Sequence, residues 1–157
     1  MNKLYINFSK TKDFSEIDYY FKLVIRRAVS AVLEYEGIEG DMSVSVTLTD
    51  NDHIHKLNKK FRGVDRHTDV LSFPMYERDE LDEMIIEGGV LELGDIVISI
   101  ERAHEQALEI GNTFLEEIAF LTVHSMLHLL GYDHERSSED DELQCRVQKT
   151  IVSALEI

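Results

Sequence analysis

The sequence predicts one α/β domain spanning residues 1–157, on three observations. Stretches that alternate polar and apolar residues recur between stretches of helical periodicity. One long helix is apolar almost all round, and no linker, repeat or low-complexity tract divides the chain. A hydrophobic content of 43% with 30% charged residues belongs to a packed chain, not a disordered one.

Each element has its own signal. Residues 3–9, "KLYINFS", alternate as a half-buried strand does. Residues 15–36 form an amphipathic helix, with Ile17, Phe21, Val24, Ile25, Ala28, Val32 and Leu33 on one stripe. "MSVSVTLT" (42–49) alternates strictly, and Asp50 is placed to cap a short helix through Ile54, Leu57 and Phe61. "DVLSFP" (69–74) is a strand that Pro74, the only proline, closes. Residues 77–92 hold seven acids around Arg78 and end near Gly88 and Gly89, which points to an exposed loop or hairpin arm. "GDIVISI" (94–100) is a buried strand, followed by a helix from Glu101. Thr113 and Glu116 make a T-x-x-E capping box before the apolar helix "FLEEIAFLTVHSMLHLL", and Gly131 supplies its left-handed stop. A last helix covers about 138–155. Because the first two strands alternate, one sheet face is expected to be partly solvated.

Composition narrows the function classes. No apolar run approaches the roughly 20 residues that span a bilayer, and the start "MNKLYINFSK" lacks a signal peptide's apolar stretch. Cys145 is the only cysteine, so no internal disulfide can form and a cytoplasmic location is expected. The net charge is −15, and all of it lies in the second half: residues 1–75 carry 11 cations and 11 acids, residues 76–157 carry 5 and 20. Most of these carboxylates are a solvated acidic surface. Against them stands a basic island, "HIHKLNKKFRGVDRH" (53–67), with Lys56, Lys59, Lys60, Arg62 and Arg66 and the single acid Asp65.

The densest chemical signal is "HSMLHLLGYDH" (124–134). Helical residues four apart share a face, so His124 and His128 point together out of an apolar helix. Gly131 lets the chain turn back, bringing His134 to the same point. Three converging imidazoles suit tetrahedral zinc with its fourth position left to water, the arrangement of a catalytic site. A lone histidine on such a helix is ordinarily a hydrogen-bonded core residue. Among seven histidines, chance gives this triple spacing with a probability of about 0.014, and the glycine lowers that about twentyfold. A pH-sensitive cluster explains neither the spacing nor the glycine. The spacing is that of the H-E-x-x-H-x-x-G-x-x-H zinc peptidases, except that Ser125 replaces their general-base glutamate. Serine is no base near neutral pH, so peptidase chemistry is disfavoured while the metal platform survives.

In this stretch the chain resembles the YbeY family of bacterial metallo-endoribonucleases. Three further stretches agree in order and spacing: "LNKKFRGVDRHTDVLSFP" (57–74), "LGDIVIS" (93–99) and the acidic start of the last helix. Ser125 stands where the family often has glycine, a small-for-small change. The resemblance implies a zincin-like α/β (α+β) fold, a mixed sheet packed with helices around the histidine-bearing helix. It implies one zinc at His124, His128 and His134, and hydrolysis of single-stranded RNA rather than DNA. It also implies a role in 3′ maturation of small-subunit ribosomal RNA and in ribosome quality control, with the small subunit as partner. The functional arginine of the family falls on Arg62. Asp133 and Asp95 are candidates for orienting the ligand histidines, as carboxylates commonly do, and Asp133 equally suits a cap on the turn after Gly131. No residue is identified as general base. Two other classes remain: a metallopeptidase-like zinc hydrolase, and a ribosome assembly factor whose zinc is only structural.

Overall fold

Alternation in β1 (Leu4–Lys10) and β2 (Asp41–Thr49) gives each strand one face for a core and one for solvent or a covering helix. The computed structural model describes residues 2–132 and 137–157. β2 pairs in parallel with β1 and with β4 (Val90–Ser99), while β3 (Val70–Pro74) runs antiparallel to β4 at the edge. The strand order is β1-β2-β4-β3, a mixed sheet as expected. Pro74 ends the edge strand, where a missing N–H costs no ladder bond.

The two faces are covered unequally. Val44, Val46, Leu48, Ile96 and Ile98 look into the main core, with α1 (Tyr19–Tyr35), α5 (Phe114–Leu129) and α6 (Ser138–Leu155). On the other face Leu71 and Val97 pack with Ile54, and Leu57 and Phe73 beside them, under α2 (Asn51–Arg62). The sheet needs a glycine to close. β3 lies so near β4 that a Cβ on Gly94 would sit 2.3 Å from the Phe73 carbonyl oxygen.

Helix ends follow side-chain chemistry. Asp50 accepts a hydrogen bond from the His53 N–H at 2.9 Å, capping α2 as its position implies. Thr113 and Glu116 satisfy each other's backbone N–H groups at the start of α5. That helix then packs on α1, α4 (Ile100–Ile110), α6, β3 and β4. The first helix begins later than its apolar stripe suggests. Asp18 accepts from the Phe21 N–H and caps it, so Ile17 packs against the core from outside the helix.

The acidic stretch 77–92 is a correction. It is neither a loop nor a hairpin arm, but the helix α3 (Arg78–Glu87) followed by the start of β4. Leu81, with 1% of its surface exposed, is in the main core, and Met84 and Ile85 pack against it. These three positions, at i, i+3 and i+4, make one apolar face beneath the acids. Gly88 and Gly89, both at positive φ, turn the chain into the strand. Leu81→Ala is therefore expected to cost about 2–4 kcal/mol in urea unfolding. A solvated arm would lose less than about 0.5 kcal/mol at that position.

Candidate active site

α5 is closed in by the core on most of its circumference. Ile118, Leu121, Val123, Met126 and Leu127 each have at most 1% of their surface exposed. His124 and His128 are half-buried on the remaining line, their ring centroids 4.7 Å apart. Both look into a cleft of about 820 Å³ whose wall follows the edge strand from Thr68 to Pro74. Arg62, from the end of α2, lines the same cleft, so the structure brings the arginine and the two histidines to one cavity.

The turn after the histidines is built on a glycine. Gly131 has φ 104°, donates to the His128 carbonyl at 3.0 Å, and lets Tyr132 return its N–H to Leu127. Arg78 of α3 donates to the Leu130 carbonyl at 3.2 Å, which ties the acidic helix to the end of the histidine helix. Tyr132 then lines the cleft. Burial, and after it the neighbouring Glu36 carboxylate, push its hydroxyl up to about 12. It stays protonated at neutral pH and serves as a donor, not a base.

The surroundings of His124 fit a metal ligand. Its Nδ1 lies 3.1 Å from Oε1 of Gln148, a side chain 3% exposed on α6. With Gln148 Oε1 as acceptor, Nδ1 carries the proton and Nε2 keeps the lone pair, the atom a metal takes. Gln144, one turn away and 1% exposed, also meets Nδ1, at 3.3 Å through Nε2, while its buried Oε1 has no partner among the described residues. Exchanging O and N of that amide would give Nδ1–H a second acceptor. Sequence reasoning looked for a carboxylate here; a neutral amide carries no motif.

The other expected residues fall as follows. His134 and Asp133 lie outside the described residues. Among the described residues no three His, Cys, Asp or Glu side chains converge as a metal cluster. Asp95 is exposed opposite Phe73, on the face of the sheet that α2 covers. The structure does not bring it to the histidines on the α5 face. Ser125 is fully buried, and its hydroxyl is absent from the cleft lining.

A carboxylate pair unnoticed in the sequence stands deeper along the same helix. Gln106 of α4 donates to Oδ2 of Asp69 at 3.0 Å and to Oε1 of Glu117 at 3.2 Å. Asp69 lines the cleft, and its Oδ1 accepts from the Val70 N–H and from Thr68. Glu117 has 2% of its surface exposed, and its Oε2 has no partner among the described residues. Burial, then the Asp69 charge, raise its carboxyl above the ordinary value of 4.5. A carboxyl with a raised folded pKa holds more protons folded than unfolded, so stability falls as pH rises through that window. In the chelator-treated protein, Glu117→Gln should gain stability over wild type as pH rises above 4.5, the difference closing below it. Urea midpoints across pH 4–8 check this; an unchanged or inverted difference would mean a paired, charged Glu117.

Comparisons with known proteins point to one family. A family model described as endoribonuclease YbeY matches residues 6–156. The endoribonuclease YbeY of Caldanaerobacter subterraneus is 47% identical over 132 residues, covering 82% of this chain and 84% of that protein. The Brevibacillus brevis protein of the same name is 43% identical over 146 residues, covering 89% and 91%. Among solved structures, the solution structure of TM1509 from Thermotoga maritima is similar with a TM-score of 0.61 and 31% identity. It covers 96% of this chain and 88% of that one. With a mixed sheet, a histidine pair on the central helix and a family match over nearly its whole length, this chain belongs to the YbeY endoribonuclease family.

Proposed function

We propose that the chain acts as one zinc-dependent endoribonuclease domain, hydrolysing phosphodiester bonds of single-stranded RNA. The biological setting we assign to it is cytoplasmic: 3′ maturation of small-subunit ribosomal RNA and ribosome quality control. His124 and His128, with His134 after the turn, would hold one zinc per chain. When bound, zinc supplies a Lewis acid beside the phosphate and lowers the pKa of water to about 7. The observation that carries the reading is the shared cleft of Arg62, His124 and His128.

The chain's own groups divide the work by charge. Of the lining residues, Arg62 is positive and Asp69, Glu77 and Glu80 are negative, so a phosphate settles at the Arg62 end. There the guanidinium fork offers two parallel donors to phosphate oxygens and matches the charge that grows in the transition state. Gln148 keeps the proton on His124 Nδ1 and holds its ring. Asp69, fixed by three hydrogen bonds, presents a carboxylate to the same cleft. We assign it the proton taken from an attacking water.

An acidic protein still has to attract RNA. Lys56, Lys59, Lys60, Arg62 and Arg66 are all exposed around the end of α2 and concentrate positive potential beside the cleft. The peptidase alternative is weakened by Ser125, whose hydroxyl is buried away from the cleft.

Cleavage of a single-stranded RNA should stop on chelation and return with zinc; activity that survives full metal removal contradicts the proposal. His128→Ala should abolish zinc binding in metal analysis of the purified protein. Arg62→Ala should lower RNA cleavage about 10²–10³-fold with metal content and fold intact. Removing Lys56 or Lys60 should reduce the salt slope of binding by only about 0.7 each.

A further inference from the structure

Phe61 is a large apolar side chain left 57% exposed at the end of α2. Exposure alone does not set it apart, since Ile86 and Leu108 are 85% and 84% exposed. Those two stand among acids, Ile86 in the seven-acid stretch and Leu108 between Glu105 and Glu109. Phe61 stands between Lys60 and Arg62, in the basic island of a chain with net charge −15.

Its position is also held. The ring meets Phe73 edge to face, with centroids 5.4 Å apart, and Phe73 packs with the small core beneath α2. Neither ring lines the cleft, and Phe73 lies on the α2 side of the edge strand. Its neighbours Ser72 and Pro74, and Arg62 next to Phe61, do line it, so the pair stands beside the cleft rather than in it. The Lys60 ammonium sits 5.1 Å from the Phe61 ring centroid. An aromatic ring fixed by a second ring, with a cation over it and a phosphate-binding arginine next in sequence, has the parts of a single-strand nucleic-acid platform. Stacking on a base outweighs an exposed cation–π contact, and the displaced ammonium remains free to meet a phosphate.

We propose that Phe61 stacks on one unpaired base of the substrate strand, next to the nucleotide whose phosphate Arg62 binds. This rests on the RNA reading of the cleft and adds a base-binding subsite to it. Stacking needs a base whose face is free, so a paired strand is excluded at this point. Phe61 would thus help the enzyme select single strands without reading their sequence, because every base has a π face.

The chain contains no tryptophan, so Phe61→Trp installs a unique fluorescent reporter at the platform. Stopped-flow mixing with a single-stranded RNA decamer, read before cleavage, should quench its emission. A decamer of abasic ribose phosphates with the same charge should not. Phe61→Ala and Phe61→Leu should weaken binding of the RNA decamer about five- to hundredfold, with circular dichroism and metal content unchanged. Equal quenching by the abasic chain would make the surface purely electrostatic and overturn the proposal. So would an unquenched reporter with an RNA that wild type cleaves, the result expected if a protein covers Phe61 instead. Leucine binding as tightly as phenylalanine would also overturn it, by showing contact without stacking. Failure of wild type to cleave or bind any single strand is a separate result, which removes the RNA reading itself.

Discussion

A helix buried on most of its circumference can carry polar side chains only where its packing opens. α5 meets three helices and two strands, and the polar groups it must place fare differently: Ser125 Oγ is buried with no partner among the described residues. Thr122 returns its hydroxyl to the Ile118 carbonyl at 2.8 Å. Glu117 shares the Gln106 amide with Asp69. His124 and His128 take the open line beside the edge strand. Apolar pressure on the rest of the helix fixes its rotation, and with it the direction in which both imidazoles point. A neutral buried imidazole costs free energy unless its nitrogens are engaged. Gln148 and Gln144, both from α6, engage one nitrogen of His124 and hold its ring.

The edge position of β3 does comparable work on the opposite wall. A central strand would be covered on both sides and could line no cleft. Ending at Pro74 and pressed against Gly94, β3 leaves one flank to the cavity and brings the end of α2 round to it. Arg62 comes from an element packed on the other face of the sheet, yet shares a cavity with histidines from the first face. The basic charge gathers there because Lys59, Lys60 and Arg62 occupy the last turn of α2, where cations also suit the helix dipole.

Legibility in the sequence followed the range of the interactions. Caps at Asp50 and Thr113, the alternation of β2 and the one-turn spacing of His124 and His128 are local, and each was readable from a few neighbouring residues. Arg62 was reached through a motif, since its meeting with the histidines depends on strand order that no local pattern encodes. Three apolar residues hidden among seven acids masked α3, because Leu81, Met84 and Ile85 show their spacing only once a helix is assumed. Asp95 was misplaced for a similar reason. β4 is apolar on both faces, so its sequence does not reveal which face each residue takes. Gln106, Gln144 and Gln148 are neutral amides with no charge or spacing to mark them, and their role appears only in the packed structure.

Whether one cavity gathers the metal ligands proposed for this chain is tested most directly by side-chain nuclear magnetic resonance of its seven histidines. Titration of the metal-free protein with zinc should move His124, His128 and His134 together, in slow exchange, complete at one equivalent, with His124 keeping its proton on Nδ1. His53, His55, His67 and His104 should stay in place. Zinc that shifts the histidines of 53–67 instead, or that leaves His124 and His128 unmoved, would contradict the account.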